Sequence, residues 1–261
     1  MQLIEENISE LSSMQTYPSQ LFYDGNLELL KRKKISIVGS RRPSKYSRML
    51  ISKIASTLAK YNVVVVSGGA MGIDAIAHNG AGCKNTISVL PCGIDIRYPS
   101  VNKNLLNDIQ RDGLLLSQFD IGSKSRPYTF VQRNEVVVSL GDILIVGEAE
   151  FGSGTMRSVE FALNMGKKIF VLPQRIGESE ATNKLLQDNK AEVIYDIEKF
   201  VLEFVGKSAM QIENVKDKFL IFCSSNPSYE ETLKKFPQRV FEAELNGEIT
   251  IANGIVTANF I

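Results

Sequence analysis

Residues 34–60 read KISIVGSRRPSKYSRMLISKIASTLAK, and this stretch decides the fold. Lys34–Val38 is mostly apolar and β-branched and predicts a buried strand, whereas Ser44–Lys60 has the spacing of an amphipathic helix. Gly39 permits tight curvature between them, and Pro43 comes just before the helix. A strand, a short turn and a helix in this order predict one unit of a parallel sheet.

The same alternation continues along the chain to residue 206. It predicts an α/β domain with an extended Rossmann-like fold, in which a mainly parallel sheet carries helices on both faces. Ligands of such sheets bind at the carboxyl ends of the strands. The further predicted strands are Val63–Ser67, Thr86–Leu90, Leu114–Ser117, Asp142–Val146, Lys168–Leu172 and Glu192–Ile194. The further predicted helices are Gly72–Ala81, Asn102–Asp112, Thr129–Leu140, Thr155–Met165, Ser179–Asn189 and Tyr195–Gly206.

Four regions follow from this pattern: an N-terminal segment (1–33), the Rossmann-like domain (34–206), a polar linker (207–217) and a small C-terminal domain (218–261). Asn253-Gly254, between two short β-branched runs, is typical of a tight hairpin turn. Three short helices before that hairpin predict a winged-helix-like domain. Acids outnumber bases in this domain, so we expect it to contact protein rather than DNA. Its predicted helices are Phe219–Cys223, Ser228–Lys235 and Gln238–Leu245.

Composition is typical of a soluble globular protein, with 44% hydrophobic and 23% charged residues. No apolar run approaches the roughly 20 residues that span a bilayer, and the N-terminus lacks the apolar core of a signal peptide. The cysteines, Cys83, Cys92 and Cys223, form no CxxC pair, and His78 is the single histidine. We therefore expect a cytoplasmic protein with reduced thiols, no membrane association, no metal site and no cofactor.

The net charge of +1 conceals an uneven distribution. No acidic residue lies between Glu28 and Asp74, which indicates a local positive field and a polyanionic partner. The alternative is a solvated basic face that serves only solubility. The ten bases in this stretch are Lys31, Arg32, Lys33, Lys34, Arg41, Arg42, Lys45, Arg48, Lys53 and Lys60.

The turn after the first strand is the leading candidate for phosphate binding. Gly39 and Ser40 lead into a helix N-terminus, whose free N–H groups attract anions, and Arg41 and Arg42 can grip a phosphate through two hydrogen bonds each. An ordinary turn capped by Ser44 accounts for a serine and a glycine, but not for two arginines.

Three further segments contribute candidate DNA-binding residues. Ser67, Gly68 and Gly69 form a glycine-rich turn after the second strand, where Asp74 caps the next helix or orients a basic group. Ser153, Gly154 and Thr155 precede a helix and can form an anion-binding nest. The third segment interleaves bases and aromatic residues, as expected for single-strand binding, although Tyr128 and Phe130 could instead be core residues. Its candidates are Lys124, Arg126, Phe130, Arg133 and Asn134.

The sequence lacks the motifs of several enzyme classes. The chain has no GxxxxGK[ST] sequence, which excludes a P-loop NTPase. It also has no GxGxxG sequence with a ribose-binding acid, which argues against a dehydrogenase. With a single histidine, the sequence offers no catalytic set of nucleophile, general base and orienting group.

The ordered motifs resemble the DprA/Smf family of bacterial DNA-processing proteins across roughly residues 34–195. The matching motifs are Ile35–Pro43, Val66–Asp74 with Ala77-His78, Val89–Gly93 with Tyr98-Pro99, Phe130 with Arg133-Asn134, Ser153–Thr155 with Phe161-Ala162, Val171–Pro173 and Thr182-Asn183.

The resemblance implies a non-catalytic protein that binds single-stranded DNA without strong sequence preference. It also implies delivery of that strand to the RecA recombinase during natural transformation, and a homodimer whose surface lies near Thr182–Ile194. By motif position, Arg42 would grip phosphate and Phe130 would line the DNA pocket. Glu135 and Glu160 depart from the family pattern and put the extent of the DNA track in question.

Two alternatives remain. The first is a nucleotide-processing enzyme like the Rossmann-like phosphoribohydrolases, which share the Gly-x-Gly-Thr turn but carry a glutamate three residues after the threonine. Ser158 holds that position here, and Glu160 lies two residues further, about 200° around a helix. The second is a protein adaptor that acts through the C-terminal domain.

Overall fold

The computed structural model describes residues 2–206 and, further on, residues 219–220, 222–223, 225–237, 239–245 and 247–259. The chain divides into two compact units, Met1–Phe204 and Val205–Ile261. The predicted linker, 207–217, lies outside the described residues.

The first unit is built on a nine-stranded sheet. Its strand order is β1-β2-β6-β5-β4-β3-β7-β8-β9, with β3 to β9 parallel and β1 and β2 antiparallel at one edge. The strands are β1 (Gln2–Leu3), β2 (Phe22–Gly25), β3 (Lys34–Val38), β4 (Val64–Ser67), β5 (Thr86–Val89), β6 (Leu114–Ser117), β7 (Ile143–Val146), β8 (Ile169–Val171) and β9 (Glu192–Val193).

Seven α-helices connect or follow these strands, and the predicted Rossmann-like α/β fold is confirmed. Each α-helix of this unit begins and ends within two residues of its predicted bounds. The helices are α1 (Lys45–Lys60), α2 (Ile73–Ala81), α3 (Lys103–Asp112), α4 (Pro127–Leu140), α5 (Gly154–Asn164), α6 (Glu180–Gln187) and α7 (Ile197–Val205).

Side chains alternate along each strand, so every strand presents side chains to both faces of the sheet. Helices cover both of these faces. On β3, Ser36 faces α4 and its hydroxyl donates to the carbonyl oxygen of Val137. Ile35 and Ile37 are fully buried on the opposite face, where α1 and α2 pack together and against β3 and β4. The central strands are therefore apolar almost throughout, as parallel strands buried on both sides must be.

The N-terminal segment is part of this unit. It supplies β1, β2 and two 3-10 helices, Ser9–Ser13 and Leu27–Lys31, which bury Leu11 and Leu29. Polar contacts add to that packing, since the buried Nζ of Lys34 donates to Oε1 of Glu10 at 2.6 Å. The sequence predicted no secondary structure in this segment.

The second unit has its own small core, which includes Phe219, Cys223, Val240, Ile249 and Val256. Its helices Tyr229–Lys235 and Arg239–Leu245 precede the hairpin strands Ile249–Ala252 and Ile255–Ala258, which pair antiparallel as predicted. A winged-helix identity for this unit stays a prediction. Across the described part of the chain, no helix has the length and apolar character needed to cross a membrane.

Candidate nucleic-acid interface

A crevice lies where the strand order reverses. The chain proceeds from β3 outward through β4, β5 and β6, and then returns to place β7 on the other side of β3. In open α/β sheets, ligands bind outside the carboxyl ends of the strands at such a reversal. The turn 39–43 follows β3 and the loop 147–153 follows β7, so both lie at this position.

Backbone contacts fix the turn after β3. The N–H of Ser40 donates to the carbonyl oxygen of Glu148 at 2.8 Å, and the Ser40 hydroxyl accepts from the N–H of Arg42 at 3.1 Å. Ser44 caps α1 by accepting from the N–H of Ser47, while its own N–H donates to Oε2 of Glu148 at 3.0 Å. Sequence reasoning missed Glu148, which follows β7 in a loop of no recognisable motif. These contacts leave the side chains of Arg41 and Arg42 exposed.

Buried side chains hold the turn after β4 in place through hydrogen bonds. Oδ2 of Asp74 accepts from the N–H groups of Gly68 at 3.2 Å and Ala70 at 3.3 Å. Ser67 is fully buried, and its hydroxyl donates to the carbonyl oxygen of Ile37 at 2.7 Å. Asp74 therefore orients its own preceding turn, and the Ser67 hydroxyl is engaged inside the protein.

Arg133 lies under the same turn rather than on the surface. Only 4% of the residue is exposed, and its Nη1 donates to the carbonyl oxygens of Val89, at 2.9 Å, and Gly68. Its Nε donates to Oδ1 of Asn134 at 3.0 Å. Burial raises the pKa of Asp74, and the nearby charge of Arg133 opposes that rise. The sequence predicted Arg133 as a DNA-binding residue, whereas the fold buries its guanidinium in the floor of the site.

Phe130 lines the crevice and contacts two other side chains there. The guanidinium carbon of Arg41 is 5.4 Å from the ring centroid of Phe130, within cation–π range. The ring of Tyr98 meets that of Phe130 edge to face, with centroids 5.7 Å apart. These three side chains and Gly68 line a small pocket. Tyr98 is 40% exposed, and its only sequence signal was the Tyr98-Pro99 motif.

A larger groove runs from this pocket to the N-terminus of α5. One face of α4 forms its side, because Phe130 and Val131 both lie three or four residues from Pro127 and from Asn134. The other lining residues are Val38, Gly39, Ser40, Arg41, Ala70, Asp74, Arg133, Ala149, Glu150, Ser153, Gly154, Thr155 and Ser158.

Ser153 lies at the far end of the groove. It is the N-cap residue of α5, yet its hydroxyl is buried without a partner among the described residues. The amide of Asn134 reaches the carbonyl oxygen of Gly154 at 3.4 Å, so α4 and α5 meet here. This end therefore offers a helix N-terminus to an anion.

The remaining predicted site residues lie outside these contacts. Lys124 and Arg126 are exposed on the segment that leads into α4. Glu135 faces the N-terminal segment, where its Oε1 accepts from the N–H of Gln15 at 2.8 Å. Glu160 is exposed and pairs with Arg157 at 2.8 Å. Both acids that depart from the family pattern are thus engaged by other residues.

The sequence model of DNA recombination-mediator protein A matches residues 5–205. The chain belongs to the DNA recombination-mediator protein A family. The resemblance inferred from its motifs is confirmed, because relatives within this family include proteins named DprA. DNA processing protein DprA of Streptococcus pneumoniae is 38% identical over 184 residues, which cover 69% of this chain and 64% of that protein. The Bacillus subtilis DprA is 30% identical over 209 residues, covering 78% and 70%.

Two solved family structures share the fold. DNA processing protein A from Helicobacter pylori, whose structure addresses its single-stranded DNA binding mode, has a TM-score of 0.77 at 35% identity, covering 78% of this chain and 95% of that one. The Streptococcus pneumoniae structure has a TM-score of 0.71 at 35% identity, covering 77% and 72%. The chain spans only part of the curated relatives it matches, for example 64% of the Streptococcus pneumoniae protein and 46% of the Escherichia coli protein Smf.

Proposed function

We propose that this protein binds single-stranded DNA in the groove between α4, α5 and the β3 and β4 turns. The contacts of Phe130 with Arg41 and Tyr98, where all three side chains line one pocket, carry this proposal. A ring beside a cation at the mouth of a groove can stack on a nucleobase while the cation neutralises the adjoining phosphate.

The geometry favours a single strand over a duplex. Stacking on Phe130 needs the face of a base, and paired bases in a duplex keep their faces covered. Every base has such a face, and Arg41 and Arg42 would meet only the backbone, so we expect little sequence preference. The Helicobacter pylori relative, studied for single-stranded DNA binding, supports the same ligand class.

We assign the predicted site residues two kinds of role. Exposed Arg41, Arg42, Lys124 and Arg126 contact phosphates, while Phe130 stacks on a base. The others shape the groove from its floor and ends, and Ser67 and Arg133 do so without touching the strand because both are buried. The shaping residues are Gly39, Ser40, Ser67, Gly68, Gly69, Arg133, Asn134, Ser153, Gly154 and Thr155.

We further propose that a homodimer delivers the bound strand to the RecA recombinase during natural transformation. The family's description as a recombination mediator supports this step. Sedimentation of the purified chain tests the dimer, and substitutions in residues 182–194 should yield monomers if that region forms its surface. Co-precipitation with purified RecA tests the second partner. A monomer that leaves RecA in solution would contradict this part of the proposal.

An enzymatic role is disfavoured by the start of α5. Ser158, at the position of the phosphoribohydrolase glutamate, is 1% exposed and lines the groove. Glu160 instead pairs with Arg157 on the exposed side of the helix. The position of that enzyme's glutamate in the groove therefore holds no carboxylate. Incubation with nucleoside monophosphates should leave them intact, and release of free base would favour the enzyme.

Competition between single-stranded and duplex DNA tests the proposal. A labelled single strand bound at low salt should be displaced by unlabelled single strands of any sequence and much less by duplex of the same length. Equal displacement by duplex would show that the site reads only backbone charge. If the protein does not bind single-stranded DNA at low salt, the proposal is contradicted.

A further inference from the structure

A stripe of exposed side chains, most of them basic, lies along one face of α1 and does not line the groove. Its side chains Lys45, Tyr46, Met49, Lys53 and Lys60 are all exposed, whereas Ile51, Ile54 and Leu58 on the other face are buried. At 100° per residue, the exposed positions fall within one side of the helix, and Lys45, Met49 and Lys53 follow each other at four-residue intervals.

This face differs from the other helices in how its charges are matched. One base on each of α3, α5, α6 and α7 pairs with an acid three or four residues away along the chain. α1 contains four bases and no acid, and within the described part of the chain none of the four forms an ion pair. A face that served only solubility would be expected to mix both signs. Unmatched bases therefore indicate an anionic partner.

The stripe is continuous with the groove. α1 begins immediately after Arg41, Arg42 and Pro43, and Nε of Arg48 donates back to the carbonyl oxygen of Pro43 at 3.1 Å. From that end, sixteen residues carry the stripe about 24 Å away from the crevice. Tyr46, at 41% exposure, and Met49, at 62%, lie between the bases and offer apolar surface to unpaired bases.

We infer that the DNA strand leaves the groove past Arg42 and continues along the exposed face of α1. This inference rests on the proposed function and extends it, because it assigns a second segment of the same strand to Lys45, Lys53 and Lys60. Binding should then depend on strand length: a short strand fills the groove alone, and a longer one also reaches the helix.

The test compares oligothymidylates of about 6 and about 20 nucleotides by fluorescence anisotropy. The variant is Lys53→Ala/Lys60→Ala, which leaves the groove intact. The matched control is Arg111→Ala/Lys199→Ala, which removes the same charge from exposed positions on α3 and α7. All of these positions are exposed, so thermal unfolding should be unchanged in both variants.

We expect the α1 variant to bind the short strand as the wild type does and the long strand about tenfold more weakly at low salt. Its log–log salt slope on the long strand should fall by about 1.4, at roughly 0.7 for each phosphate that is no longer neutralised. The control should match the wild type on both lengths. Unchanged binding of the long strand, equal weakening on both lengths, or an equal weakening in the control would overturn the inference.

The proposed function fails in a different way. If the wild type binds neither strand, or if Arg42→Ala binds both as well as the wild type does, the groove itself is not the site. If the wild type binds both strands and depends on Arg42, but the α1 variant is indistinguishable from it, only the track along α1 is wrong.

Discussion

Asp74 and Arg133 hold the same turn from opposite sides. The carboxylate of Asp74 accepts from the N–H groups of Gly68 and Ala70, and the guanidinium of Arg133 donates to the carbonyl oxygen of Gly68. Both side chains are buried, so the floor of the groove rests on a pair of opposite charges. Removing either one leaves the other charge without compensation in the protein interior.

The first prediction separates Arg133 from Arg42. Arg133→Ala should lower the free energy of unfolding by about 3–5 kcal/mol, because it leaves Asp74 buried and uncompensated. Arg42→Ala should leave stability unchanged, since that side chain is exposed. Urea denaturation of both variants measures this difference. An Arg133→Ala variant of wild-type stability that no longer binds DNA would mean that Arg133 touches the strand directly.

Phe130 gives the second prediction. Phe130→Ala should weaken single-strand binding by about 1–3 kcal/mol if the ring stacks on one base. Phe130→Leu is the control, because leucine keeps an apolar side chain there but has no ring face for a base or for Arg41. Titration with a labelled oligonucleotide should show losses of similar size for both variants. Full affinity in Phe130→Leu would show that apolar filling, and not stacking, is what the site needs.

The third prediction concerns the contact between the two turns. Gly72 has φ of +78°, and a Cβ there would meet the carbonyl oxygen of Ser40 and lie 2.7 Å from Cα of Arg41. Gly82 has a similar φ of +73° with open space around it. Both alanine variants should lose about 1–3 kcal/mol of stability, because ψ is −128° at Gly72 and 151° at Gly82, where positive φ is open essentially to glycine alone. The clash with the arginine turn should add to the loss in Gly72→Ala. Only Gly72→Ala should also lose DNA affinity, because it displaces the arginine turn. Equal affinity in both would contradict the coupling.

Acid sensitivity follows from His78. The Thr86 hydroxyl donates to the carbonyl oxygen of Val65 at 2.9 Å, so Nδ1 of His78 donates to that hydroxyl and Nε2 remains a buried acceptor without a partner among the described residues. Burial, aided by the charge of Arg133, lowers the pKa of His78 to about 3. Below its unfolded value of about 6.5, the unfolded chain binds a proton that the native state does not.

The wild type should therefore lose stability as the pH falls from 7 towards 5. At pH 5 the pH is about 1.5 units below the unfolded pKa of His78, and each unit corresponds to about 1.4 kcal/mol. The loss of stability due to His78 should therefore be about 2 kcal/mol by pH 5. His78→Gln cannot take up this proton, so its free energy of unfolding should change less over the same range. The raised pKa of Asp74 acts in the opposite direction, but it is present in both proteins. Parallel pH profiles would contradict the prediction.

Most of the sheet could be predicted from sequence because its signals are local. The runs Lys34–Val38 and Ile143–Val146 are apolar, and each is followed by a glycine that ends the strand. The order of the strands places the ends of β3 and β7 side by side, and general rules for parallel sheets anticipate a ligand there. The N-terminal strands escaped prediction because β1 is two residues long and its partner β2 ends in Gly25.

The site was predictable in its motifs but not in its side-chain directions. Arg133 follows Phe130 and Arg126 in a basic and aromatic segment, and nothing local shows that α4 turns its guanidinium inward to Gly68 and Val89. Glu148 holds the arginine turn through contacts that span about a hundred residues of sequence. Such roles depend on the packing of distant segments, which spacing along the chain cannot reveal.

The most direct measurement of the central claim is the salt dependence of single-strand binding by Arg42→Ala. The matched control is Arg111→Ala, an exposed arginine at the end of α3 that pairs with Asp108 and Asp112. If Arg42 grips a phosphate in the groove, its removal should weaken binding and reduce the log–log salt slope by about 0.7, while Arg111→Ala keeps the wild-type affinity and slope. An Arg42→Ala protein with unchanged affinity and slope would contradict the account.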